Sequence, residues 1–85
     1  MAQILRPKRV IERSGLTKSP LYAAVAAGVF TRPVKIGGAR ASGWPAHEID
    51  ALIQARIAGA SDDDIRKLVQ RLHEARKTAH QPIAA

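Results

Sequence analysis

No cysteine occurs among the 85 residues. That excludes a disulfide framework, cysteine-ligated zinc and a thiol nucleophile, and it fits a reducing cytoplasm, where the protein is expected to reside. Aromatic residues are nearly as scarce, with one Tyr, one Phe and one Trp, all between Tyr22 and Trp44. Long apolar runs are missing. The most apolar stretch, LYAAVAAGVF, is far shorter than the about 20 residues that span a bilayer, so no membrane association is expected. The start, MAQILRPKRV, has neither the apolar segment nor the cleavage pattern of a secretory signal.

Catalytic arrangements are also wanting. His47, His73 and His80 have no ligand or catalytic partner at a meaningful spacing, and no phosphate-cradling glycine loop, serine elbow or pair of pocket carboxylates can be drawn. Asp62-Asp63-Asp64 reads as the acidic start of a helix, where carboxylates meet the positive end of the helix dipole, rather than as a metal site. A chain this short hides only about 60% of its unfolded surface, too little to enclose a deep catalytic cavity. No enzyme activity, metal or cofactor is expected.

What the chain has instead is positive charge, and it has it in one half. The net charge is +7. Up to Pro45 the bases are Arg6, Lys8, Arg9, Arg13, Lys18, Arg32, Lys35 and Arg40, against the single acid Glu12; from Ala46 onward bases and acids balance. Such asymmetry suggests a polyanion-binding part joined to an electrically neutral one.

The local signals give an order of elements. Pro7 suits the first position of a helix, where a missing N–H costs nothing, and PKRVIERS then runs to Gly15. Thr17 is a good N-cap for a second helix carried by Leu21, Val25 and the alanines to Gly28, a natural residue beyond a helix end, with Pro20 tolerated in the first turn. Two short helices around the turn SGLT have the spacing of a helix-turn-helix. Val34 and Ile36 then alternate with Lys35, Gly37-Gly38 is a hairpin signal, and ARASGW returns as a second strand. A third helix starts at Pro45 with Ile49, Leu52, Ile53 and Ile57 on one face, and Gly59-Ala60 breaks it. Ser61 caps a fourth helix, DDDIRKLVQRLHEARK, and a frayed tail is expected over 79–85.

This order specifies a mainly α fold: a winged helix-turn-helix over 5–58 with a short two-stranded hairpin as its wing, plus an amphipathic helix over 61–78. A two-residue loop at Gly37-Gly38 would set Lys35 opposite Arg40, and like charges directly opposite are destabilising unless an anion approaches. A four-residue loop, 37–40, would put Arg40 at the tip. Either register gives a narrow projection suited to phosphates or to an arginine entering a minor groove. Trp44 is expected to pack over Leu5, Val34 or Ile53, Phe30 to be core, and Tyr22 to pack partly while its hydroxyl reaches a phosphate.

The stretches LRPKRVIERSGLTKSPLY and GVFTRPVKIGGARASGW, followed by the helix from Pro45, resemble the AlpA-type small regulators of prophages and related mobile elements, within the MerR-like and excisionase-like winged-helix group. The resemblance covers about Leu5 to Ile57. Its motifs are Gly15-Leu16-Thr17, Tyr22, Gly28 with Phe30, Pro33 to Gly38, and Gly43-Trp44. It implies a transcriptional regulator that binds double-stranded DNA, with a recognition helix at about 17–27 in the major groove and a wing at about 34–44 on the backbone or minor groove. By the same resemblance, Thr17, Lys18, Ser19 and Tyr22 read the groove, while Arg32, Lys35, Arg40 and Ser42 serve the wing and backbone. The run Ala23, Ala24, Ala26 and Ala27 departs from relatives with long polar side chains there. Alanine can touch a thymine methyl but makes no bidentate base contact, which shifts the reading to the helix start, the wing and DNA shape.

Three alternatives stay open on the sequence. An excisionase-like architectural protein directing an integrase would look the same. A regulator could also engage RNA polymerase. A protein-interaction module is a further reading, because Ile65, Leu68, Val69 and Leu72 form a stripe at i, i+3, i+4 and i+7. That stripe either folds back on its own domain, against Ile53 and Ile57, or pairs with a second copy to give a homodimer.

Overall fold

The computed structural model describes residues 3–37 and 41–79. Its elements are β1 (Ile4–Leu5), α1 (Pro7–Ser14), α2 (Lys18–Ala26), β2 (Val34–Gly37), β3 (Ala41–Pro45), α3 (Ala46–Ile57) and α4 (Asp62–Ala79). This is the expected mainly helical winged helix-turn-helix with an additional C-terminal helix.

Both first helices begin and end where their residues dictate. Pro7 opens α1 and Gly15 closes it in the left-handed region at φ 78°, its N–H reaching Ile11 O. Thr17 precedes α2 in an extended conformation but makes no side-chain capping bond. At the far end Gly28, at φ 80°, turns the chain out of the helix. Ser61 does act as a cap: its Oγ accepts the Asp64 N–H at 3.2 Å. Helix α4 extends through Ala79, one residue into the expected tail, while the rest of the tail lies outside the described residues.

The sheet has three strands rather than two, in the order β1-β3-β2. Ile4 pairs with Pro45 and Leu5 with Trp44, both antiparallel. A two-residue strand is too short to show alternation, so nothing in the sequence marks β1. On the other edge Val34 pairs with Gly43, Lys35 with Ser42 and Gly37 with Ala41, with a bulge between Lys35 and Gly37. Lys35 therefore faces Ser42 and not Arg40. The two-residue loop is overturned, and the pairs of the four-residue alternative are present at Val34 and Lys35. Opposing a serine relieves the like-charge conflict without any ligand.

One core serves all four helices. Leu5, Val10, Leu21, Phe30, Trp44, Ile49, Leu52, Ile65 and Val69 are buried together. Trp44 is fully buried, with ring centroids 6.0 Å from Tyr22 and 6.1 Å from Phe30. Its indole N–H donates to Thr31 O at 2.6 Å. The tryptophan thus ties the wing to the connector after α2, and of its expected neighbours Leu5 is the cross-strand partner.

Helix α4 lies back on this body. Ile65 and Val69 are buried in the core, with Leu68 and Leu72 packed half-buried against it. Ile57, expected beneath the stripe, is 74% exposed instead. The second anchor is polar. Glu48, fully buried on α3, accepts two hydrogen bonds from Arg76, Nε to Oε2 at 2.7 Å and Nη2 to Oε1 at 2.6 Å. Removing one partner of such a buried pair leaves an uncompensated charge and costs about 3–5 kcal/mol, so the pair holds α4 in one place.

Candidate nucleic-acid interface

Leu21 and the half-buried Ala24 and Val25 face α2 toward the core, which turns Lys18, Ser19, Tyr22, Ala23 and Ala26 outward. Thr17, at the helix start, is exposed as well. Tyr22 divides as its chemistry favours: its ring leans on Trp44 while 40% of the residue remains accessible. Helix α2 contains no acidic residue, and neither does the turn before it. The four residues expected to read the groove, Thr17, Lys18, Ser19 and Tyr22, therefore share one exposed end of a helix that has no acidic residue.

The wing residues are placed unevenly. Lys35 is exposed and Ser42 half-buried, directly across the strand pair. Arg40 lies outside the described residues. Arg32 sits on the connector between α2 and β2, exposed, with its main chain held from two sides. Its N–H donates to His73 Nε2 at 3.1 Å, and its carbonyl accepts Arg76 Nη2 at 2.7 Å. The sequence offered no sign of either contact, because they join residues more than 40 positions apart.

His73 has a pKa lowered from 6.5, first because burial disfavours the imidazolium and then because Arg76 and Arg32 repel it, with Glu48 opposing. A neutral imidazole is what the Arg32 N–H requires, since only the neutral ring has an acceptor nitrogen.

Ion pairing sorts the bases. Arg13 meets Asp50 at 3.1 Å. Arg6, Lys8, Arg9, Lys18, Arg32 and Lys35 are exposed and have no carboxylate partner among the described residues. Arg6, Lys8 and Arg9, at the entry of α1, belong with the candidate site on this ground, although only their charge marks them in the sequence. Five of the six acids of the second half are ion-paired: Asp50 with Arg13, Asp62 with Arg56, Asp63 with Arg66, Glu48 with Arg76 and Glu74 with Lys77. Two of the three aspartates at the start of α4 are thus surface ion-pair partners.

A hollow of about 450 Å³ opens between the α1–α2 turn and α3, walled by Leu16, Phe30, Leu52 and Ile57. Arg56 is its one ionisable lining residue, so it offers no general acid or base. Among the described residues no three His, Asp or Glu side chains are grouped to hold a metal ion, and no helix is long and apolar enough to cross a membrane.

Residues 3–57 match the family model described as Prophage CP4-57 regulatory protein (AlpA). The match takes in β1 through α3 and stops short of α4. No curated protein and no solved structure matches the chain significantly.

Proposed function

The chain belongs to the AlpA family of prophage regulatory proteins, and from that premise we propose that it is a sequence-specific double-stranded DNA-binding regulator of a prophage or related mobile element. Helix α2 enters the major groove, with Thr17, Lys18, Ser19 and Tyr22 at the base edges and nearest phosphates. The hairpin β2–β3 lies over the adjoining backbone or minor groove, where Lys35, Arg40 and Ser42 act, and Arg32 grips a phosphate between the two. The observation that carries this reading is the sorting of charge: of the eight exposed bases without carboxylate partners among the described residues, six stand on the helix-turn-helix and wing side of the chain, and the other two, Lys67 and Arg71, on α4. Unpaired bases of this kind are what phosphate neutralisation consumes.

Base reading falls to the start of α2 because the alanines that follow give it no long polar arm. Phosphate contacts fix orientation, and groove shape supplies the remaining selectivity.

Footprinting on DNA of the parent element tests the proposal. A short protected site over a promoter is the expected result, with about five phosphate contacts giving a slope of log K against log[salt] near −4.5. Phased protection across an attachment site would transfer the protein to the excisionase-like role. Absence of duplex binding at low salt would overturn both.

A further inference from the structure

Helix α4 lies beyond the family match, yet it borders the same connector that presents Arg32. Between them is an open polar cleft of about 770 Å³ formed by Arg32, Lys67, Gln70, Arg71, His73 and Glu74. We propose that this cleft is a second phosphate-binding surface for duplex DNA, with Arg32, Lys67 and Arg71 as its cations, so that α4 extends the footprint past the helix-turn-helix and wing. The proposal rests on the DNA-binding reading given above and adds a site to it.

Three observations support it independently of charge totals. First, α4 has five Lys and Arg residues, and three of them are paired: Arg66 with Asp63, Arg76 with Glu48 and Lys77 with Glu74. Lys67 and Arg71 have no carboxylate partner among the described residues, and these two line the cleft. Although the second half of the chain nets zero, all of its acids but Asp64 are ion-paired, and Lys67 and Arg71 on this face are left without a carboxylate. The one carboxylate lining the cleft, Glu74, is paired with Lys77 at 3.5 Å.

Second, Lys67 and Arg71 are one helical turn apart, so they share a face, with Gln70 beside them as a neutral donor. Arg32 stands across the cleft on a main chain clamped by His73 and Arg76. The three cations are thereby set on a rigid support, the arrangement in which phosphate contacts position a protein on a duplex.

Third, the cleft lies beside the C-terminal end of α2. A smaller hollow lined by Val25, Gly28, Arg32, Arg66, Gln70 and His73 shares Arg32, Gln70 and His73 with it. That end has no base in its last turn, and Arg66 of α4 donates to Ala27 O at 3.2 Å instead. A helix C-terminus carries partial negative charge and repels phosphate. Cations supplied by α4 offset that repulsion where α2 would leave the groove beside the backbone.

The test uses the full chain and a duplex of arbitrary sequence, because phosphate contacts do not depend on the bases. Lys67→Ala combined with Arg71→Ala is compared with wild type by fluorescence anisotropy across a salt series. A circular dichroism melt confirms that both fold, since neither side chain is in the core. The expected result is a slope shallower by about 1.8, two contacts at about 0.9 each, with restoration by Lys67→Arg and Arg71→Lys. An unchanged slope in a folded variant overturns the proposal while leaving the DNA-binding function standing. A variant that keeps its slope and loses binding to a protein partner assigns the cleft to that protein instead. Absence of duplex binding by wild type overturns the cleft and the parent reading together.

Discussion

Gly43 shows how much a single position can decide. It is buried in β3, and a Cβ there would sit 2.6 Å from Leu5 O, 2.7 Å from Ile4 Cγ2 and 3.0 Å from Ile36 Cδ1. The first of these is main chain and cannot turn away. Gly43→Ala is therefore expected to separate β1 from β3 and to cost about 1–3 kcal/mol, the usual range for overpacking. In a domain of this size each kcal/mol lowers the melting temperature by about 4–8 °C, which a thermal melt resolves. A melt within a degree of wild type would show that the strands part freely. The Gly43-Trp44 pair is legible in the sequence as a motif, but its reason is not, because the strand that crowds it is two residues long. Thr31 is similar. Its carbonyl takes the Trp44 indole while its buried hydroxyl has no partner among the described residues, and no local pattern announces either fact.

The elements divide by how local their causes are. Helices α1 and α2 are readable to within a residue or two because Pro7 and the two left-handed glycines, Gly15 and Gly28, act on their own neighbours. Helix α4 is readable as a helix with a stripe, and the destination of that stripe is not. Its seat depends on Glu48, a residue type almost never buried without a partner, and that partner lies 28 positions away. His73 makes this docking sensitive to acid. Its folded pKa lies below the unfolded value of about 6.5, so between the two the unfolded chain binds more protons, and stability falls as pH falls through that window. Below the folded pKa both states are protonated and this contribution no longer changes. Protonation removes the acceptor for the Arg32 N–H and adds a cation facing Arg32 and Arg76, with Glu48 alone opposing. Denaturant melts from pH 7.5 to 5.5 are expected to show wild type losing stability. His73→Gln, which keeps an acceptor and does not titrate, should lose less. Equal slopes in the two proteins would remove His73 from the docking.

At the scale of the molecule the sequence shows a charge imbalance, and the fold determines which of those charges are free. Composition counts Arg13 equally with Arg9, since both are bases in the first 45 residues. In the structure they differ: Arg13 spends its charge on Asp50 of α3, whereas Arg9 is exposed without a partner among the described residues. A pair exposed on both sides contributes little to stability, so its removal should leave the fold intact. Its removal also leaves the net charge unchanged, which isolates the question of whether Arg13 meets DNA. The double variant Arg13→Ala with Asp50→Ala is expected to bind a duplex with the salt slope of wild type. Arg9→Ala should flatten that slope by about 0.9, the signature of one lost phosphate contact. Anisotropy titrations at four or more salt concentrations give both slopes from the same preparation. If the double variant flattens the slope as much as Arg9→Ala does, the ion pair opens on DNA and Arg13 joins the interface. If Arg9→Ala changes nothing, the entry of α1 faces solvent in the complex and the free bases of α1 leave the site.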